Sequence, residues 1–249
     1  MRNNCGAIMV AAGFCLLGAC NPLSGLGPQP DAGRKSSPTG PQKLMLKGMV
    51  AEGADLSSSV LGCASRAGLQ LNELRPGPAG KEAGRRSEQV TVSGNFQGIA
   101  NFIACFGEGE VIWELGQMHV RRGPANFYDY RLELQASAFQ GLTVPGPEFK
   151  DSAGAEKWFQ ALPARVKQAT ALLSGIYLAT EPAIEVREIG LSEKEGGVKG
   201  RAASYPEISG FMQDLQGKGL VRNARVETIR QIKASNVEKD QEFEIRFDW

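Results

Sequence analysis

Histidine is almost missing from this chain: His119 is the only one among 249 residues. That leaves no pair of histidines for a metal centre and a single candidate base for a Ser-His-Asp arrangement. The serines have no lysine or histidine at any spacing that would activate them as nucleophiles, and His119 itself reads as a structural or exposed side chain on a half-polar strand. Charge of one sign is missing as well. The 28 basic and 27 acidic residues leave a formal net charge of +1, so nothing draws the chain to nucleic acid. A long apolar run is also absent. The longest, from about Gly6 to Ala19, falls short of the roughly 20 residues a membrane-spanning helix needs. What is present is the composition of a globular protein, 42% hydrophobic and 22% charged, enough for a packed core.

The beginning of the chain has a distinct character. In "MRNNCGAIMVAAGFCLLGAC", Arg2 precedes the apolar run, which closes on Leu17-Gly18-Ala19-Cys20. A charged start, a short apolar stretch and small residues before a cleavage point form an export signal. The last four residues resemble a bacterial lipobox, which implies lipid on Cys20 and export out of the cytoplasm. An uncleaved signal anchor is the other reading. Residues 21–42 are rich in Pro, Gly and Ser without apolar periodicity and read as a flexible tether. Asn21 follows the cysteine where an aspartate would favour inner-membrane retention, so that cue is missing.

The rest of the chain contains an echo. In residues 200–215, "GRAASYPEISGFMQDL", Ile208, Phe211, Met212 and Leu215 form a one-sided helical stripe. Ser204 and Glu207 make a capping box, with Pro206 in the first turn. About a hundred residues earlier, Ile99, Phe102, Ile103 and Phe106 repeat the stripe, Asn95 can cap it, and Gly94 stands where Gly200 stands. Each stripe has extended segments on both sides: 69–74, Val90/Val92, 111–122 and 127–139 in the first copy, and 183–191, Val198, 220–234 and 242–249 in the second. Tyr130, Leu132, Leu134 and Ala136 alternate strictly, as do Phe243, Ile245 and Phe247, the mark of strands buried on one face. A helix opens each copy, near 55–67 and from Leu162 to Thr180. In the latter, Leu162, Val166, Ala169, Leu173 and Ile176 make a seam, and Pro163 suits the first turn.

The order α-β-β-α-β-β, read twice, predicts an α+β protein of two tandem ferredoxin-like two-layer sandwiches, each with an antiparallel four-stranded sheet. The expected domains are 43–139 and 154–249, joined by a linker at 140–153. Cys63 and Cys105 fall near the C-terminal ends of helices expected to run antiparallel, hence at opposite ends of the layer, and read as two buried free thiols.

Sites for chemistry do not emerge. The glycine at 200 does not make a phosphate cradle, because Ser204 and Glu207 already engage the helix N–H groups and Pro206 removes one. Gly107 and Gly109 follow a helix and read as its stop. Glu185/Glu188 and Glu193/Glu195 read as solvated faces, and "RPGPAGKEAGRR" at 75–86 as a mobile basic hairpin loop. The chain is expected to have no catalytic, cofactor-binding or metal-ligating residues.

On the elements just described, residues 155–249 resemble the periplasmic domain of PilN-type fimbrial assembly proteins. The carriers are Gly200 before the capped helix, Phe211 and Leu215 within it, "VRNARV" after it and the closing Phe-Glu-Ile strand. Residues 45–139, through "VTVSGNFQGIANFIACF" and two long strands, more loosely resemble PilO-type proteins and the M-type subunits of type II secretion. These families usually carry one such domain behind a transmembrane helix and coiled coil; here two stand in tandem behind an apparent lipid anchor. The resemblance implies a non-catalytic, periplasm-facing scaffold at the inner membrane, with the outer membrane still open. Its partners would be other platform subunits, met through sheet edges or helix 162–180 as a homo- or heterodimer, with no nucleic acid. The rival reading is a periplasmic small-ligand-binding lipoprotein.

Overall fold

The computed structural model of the chain describes residues 40–77, 84–123, 129–146, 148–180, 184–232 and 241–249. Cys20, the export signal, most of the tether and loop residues 78–83 lie outside them. Residues 40–249 form a compact unit. The fold is α+β, with antiparallel sheets and four helices among the described residues.

The elements of the first half are helix α1 (Leu56–Arg66), strands β2 (Gln70–Pro76) and β3 (Arg85–Gly94), helix α2 (Phe96–Cys105), and strands β4 (Trp113–Arg122) and β5 (Tyr130–Phe139). The second half has helix α3 (Ser152–Ala179), strands β7 (Ile184–Leu191) and β8 (Glu195–Ala202), helix α4 (Tyr205–Gly217), and strands β9 (Arg222–Gln231) and β10 (Gln241–Asp248). Two short strands, β1 (Gln42–Leu44) and β6 (Leu142–Val144), pair as a separate ribbon. The stretch expected as a plain linker at 140–153 therefore contains β6, and α3 starts within it.

The helix starts follow local chemistry. Asp55, Asn95 and Asp151 cap α1, α2 and α3 through their side-chain oxygens, which accept from Ser57, Gly98 and Gly154 N–H groups. At α4, Ser204 is the N-cap and its N–H donates to Glu207 at 2.9 Å. The predicted boundary of α3 is corrected by about ten residues: Pro163 lies inside the helix, not in its first turn. Ala155, Phe159 and Leu162 carry the helix upstream, because they pack with Phe139, Leu142 and Val144 in a small core under the ribbon. That burial offsets the hydrogen bond the proline removes.

The sheet is where structure and expectation part. Two four-stranded sheets were expected; the strands instead form one eight-stranded antiparallel sheet, in the order β2-β3-β5-β4-β7-β8-β10-β9. The join is β4 to β7, where Met118, His119, Val120 and Arg121 pair with Leu191, Gly190, Ile189 and Glu188. Two strand edges that would otherwise leave backbone N–H and C=O groups open satisfy each other there. Helix α3 packs against α2, α4 and β4, so it lies over the join. One hydrophobic core runs beneath all four helices, from Val60 and Ile99 through Leu172 and Leu173 to Ile208 and Phe243.

The cysteines are a second correction. Cys63 and Cys105 form a disulfide, with their Cα atoms 5.7 Å apart. The opposite-ends reasoning failed on length. A Cβ at Gly98, in the first turn of α2, would come within 2.9 Å of the Ala67 carbonyl just past α1, so these ends do lie together. But Cys63 stands four residues back from Ala67 and Cys105 seven residues on from Gly98, an axial mismatch of only about 4.5 Å at 1.5 Å per residue. Short helices cannot keep their ends far apart.

Candidate interaction surface

Among the described residues, the sheet has one face against the helices and one open face. Along β8 and β10, Gly196, Val198, Gly200, Phe243, Ile245 and Phe247 turn inward. Glycine is needed at two of these positions. A Cβ at Gly200 would lie 2.5 Å from the Glu185 carbonyl oxygen and 2.7 Å from the Phe243 ring, and one at Gly196 would lie 2.3 Å from Phe247. Gly200 thus leaves room for the Phe243 ring and the paired strand.

The open face carries charges of alternating sign. Glu185 accepts from Arg122 at 2.6 Å and lies 3.4 Å from Arg187. Glu242 lies 2.9 Å from Arg201 and 3.6 Å from Arg187. Glu188 sits between Arg121 and Lys199 at 3.7 and 3.8 Å, and Arg246 between Glu227 and Glu244 at 3.1 and 3.5 Å. Glu185 and Glu188 are thus members of ion pairs. His119 stands in the same layer, between Glu133 on β5 and Gly190 on β7. Its Nδ1 is buried without a hydrogen-bond partner among the described residues. A shallow depression of about 240 Å³ lies beside it, over Gly190 and Gly197 and between Lys199 and Arg246. Among the described residues, no group of three His, Cys, Asp or Glu side chains could hold a metal ion.

The basic loop at 75–86 is smaller than expected. Arg85 and Arg86 belong to β3; Arg85 pairs with Glu114, and Arg86 donates to the Ala54 carbonyl at 2.6 Å. Burial raises Glu114 above the ordinary carboxyl range, against the pull of Arg85. Burial likewise raises Glu88, with Arg86 pulling the other way. Tyr130 is raised by burial too.

The α3 seam is not a free surface. Leu162, Val166, Ala169, Leu173 and Ile176 are all buried in the chain's own cores, which corrects its expected role in pairing with a partner. Outside the seam, Tyr177 and Leu178 are exposed. No helix among the described residues is long and apolar enough to cross a membrane.

Two strands bound the sheet. Strand β2 has seven residues with a register shift between Leu71 and Glu73. Strand β9 has ten residues, pairs with β10, and has no second strand on its outer side among the described residues. Arg222, Arg225 and Arg230 are exposed along it, with Ile229 at 38% exposure. Its pairing is irregular near Ile245 and Asp248, and Asn223 adopts a left-handed φ of 52°. Arginines and irregularities of this kind discourage indiscriminate strand pairing. Sequence reasoning could not select this edge, although "VRNARVETIRQ" carried the charge decoration that marks one.

Comparison with known proteins agrees with part of this reading. Residues 172–249 match the family model "Fimbrial assembly protein (PilN)". In the structure that segment runs from the second half of α3 through β10 and includes the β9 edge. No curated protein matches the chain. Among solved structures, the type 4 fimbrial biogenesis protein PilO from Pseudomonas aeruginosa is similar at 18% identity and a TM-score of 0.31. The match covers 34% of this chain and 66% of that one, just under two thirds of its length.

Proposed function

From the match of residues 172–249 to the PilN family, we propose that this chain is a non-catalytic scaffold subunit of a bacterial type IV pilus-assembly or type II secretion platform. It faces the periplasm, is tethered through lipid on Cys20, and binds other platform subunits by strand pairing at the β9 edge. The family match carries this reading, and the geometry supports it. The matched segment contains a sheet edge, β9, ten residues long with its outer side open among the described residues. A disulfide at Cys63–Cys105 suits an oxidising compartment outside the cytoplasm. The order of strands within the halves, β2-β3-β5-β4 and β7-β8-β10-β9, is the same. It supports an origin by duplication of a ferredoxin-like unit, which superposition of the two halves would test.

A photo-crosslinking side chain at Arg225, on the exposed edge, tests the function in cells. The expected products join this chain to pilus or secretion platform subunits, and deletion of the gene removes pili or secretion. An unmodified monomer after irradiation, with pili and secretion intact in the deletion strain, would refute it. Cys20→Ala tests the anchor separately: lipid labelling and membrane retention should both be lost.

A further inference from the structure

The disulfide has an unusual neighbour. The Nη2 of Arg66 lies 2.7 Å from Cys105 Sγ and 3.7 Å from Cys63 Sγ. The same side chain donates through Nε to the Gly62 carbonyl at 3.4 Å, which holds it across the bridge. Arg66 has no carboxylate partner among the described residues, so its charge is not neutralised by an ion pair there.

A guanidinium in this place acts differently on the two redox states. In the bridge both sulfurs are neutral and are weak acceptors. Once the bridge opens, Cys105 Sγ can carry a full negative charge against the guanidinium, and the contact becomes charge-assisted. The contact therefore stabilises the open form more than the closed one. Two effects oppose it: burial disfavours a thiolate on either sulfur alike, and so do the helix ends. Cys105 ends α2, and Cys63 lies in the last turn of α1, so the carbonyl ends of both helices disfavour a thiolate. That is a partial charge spread over a turn; a full charge in direct contact outweighs it.

The sulfurs sit at the rim of the core. Cys63 and Cys105 are 6% and 7% exposed, while Val60 and Phe102, one turn inward, are at 0%. Leu61 and Gly62 beside Cys63 are exposed, and a Cβ at Gly62 would meet nothing within 4 Å. Cys63 thus lies directly beneath exposed residues of α1.

We propose that the Cys63–Cys105 bridge is a site of thiol–disulfide exchange, opened by a protein with a vicinal dithiol that attacks Cys63 while Arg66 holds the departing Cys105 thiolate. The partner's thiolate attacks Cys63 Sγ, the Sγ–Sγ bond breaks, and its electron pair leaves on Cys105. A mixed disulfide on Cys63 results. The partner's second thiol, as its thiolate, then attacks the partner's own sulfur in that bond, and Cys63 leaves and takes a proton from solvent. Two electrons pass from the dithiol to the bridge, and the partner ends as a disulfide. The direction of attack follows because the sulfur with the better-stabilised thiolate leaves faster.

The test uses the oxidised full chain and a thioredoxin variant lacking its resolving cysteine, with the trapped species mapped by mass spectrometry. The expected adduct is on Cys63, and Arg66→Gln slows its formation about threefold, the effect of one pK unit on the leaving thiol at a Brønsted coefficient of about 0.5. Trapping on Cys105, or rates within twofold of each other, would overturn the proposal. Should Arg66→Gln fail to fold, alkylation of the reduced wild-type chain against pH decides. Cys105 is expected to react with a midpoint below the free-thiol value of about 8.5; a midpoint at or above it would refute the role of Arg66.

Discussion

Two glycines on β8 make opposite predictions from adjacent layers of the same strand. Gly200 faces the helices, where a Cβ would stand 2.5 Å from the Glu185 carbonyl oxygen and 2.7 Å from Phe243. The oxygen belongs to the paired strand β7, so it cannot move without disturbing the ladder, and the Phe243 ring is backed by Phe211 at a centroid distance of 6.2 Å. Gly197 faces the open side, and the only atom within 4 Å of its Cβ is the Ile245 carbonyl oxygen at 3.3 Å. Neither has a positive φ, so alanine is conformationally acceptable at both. Replacing glycine by alanine where the backbone allows it stabilises by about 0.4–1 kcal/mol, while overpacking a core costs about 1–3 kcal/mol. Gly200→Ala should therefore lose about 2 kcal/mol, and Gly197→Ala should stay within about 0.5 kcal/mol of the parent. For a domain of this size that separates their melting temperatures by about 4–8 °C. Calorimetry or urea unfolding with unchanged m-values reads the difference. Equal stability of the two variants would refute the account of Gly200 as a packing glycine and reopen it as part of a ligand turn.

Other outcomes follow from the same geometry. The bridge closes a loop of 42 residues, so Cys63→Ala/Cys105→Ala should cost about 4 kcal/mol on the loop-entropy model, measured by urea unfolding, and alkylation of the unfolded, unreduced parent should label neither Cys63 nor Cys105. Glu88 is raised by burial above its unfolded value, so its ionisation destabilises the fold. Glu88→Gln should raise the melting temperature at neutral pH, and the gain should vanish as pH falls through the raised value to below the ordinary carboxyl range. At α4, Glu207→Ala frees the Ser204 N–H and should cost about 1 kcal/mol in urea unfolding.

Much of the secondary structure was legible because each element obeys a local rule. The stripes Ile99–Phe106 and Ile208–Leu215 are buried as their periodicity requires, and the alternations in β5 and β10 mark the faces that turn inward. What local rules do not carry is the identity of a neighbour. Alternation says which face of a strand is buried but nothing about what lies along its edge, so the pairing of β4 with β7 had no signature. The same holds for the disulfide, where opposite ends of the layer are read as far apart, although helices of eleven and ten residues leave both sulfurs within bonding reach. Pro163 misled in the opposite sense: it has the look of a helix start, yet the residues ahead of it bury enough apolar surface to extend the helix past it. The candidate edge at β9 was visible only as a row of arginines whose position at the end of a sheet had to come from topology.

The pairing of β4 with β7 also turns the sheet into a ruler. Eight strands make seven gaps, so β2 and β9, the end strands among the described residues, stand about 34 Å apart at about 4.8 Å per strand. The end strands differ in sequence and length. Under the proposed scaffold role, two unlike edges at a fixed spacing would let one chain hold two different neighbours at a high effective concentration.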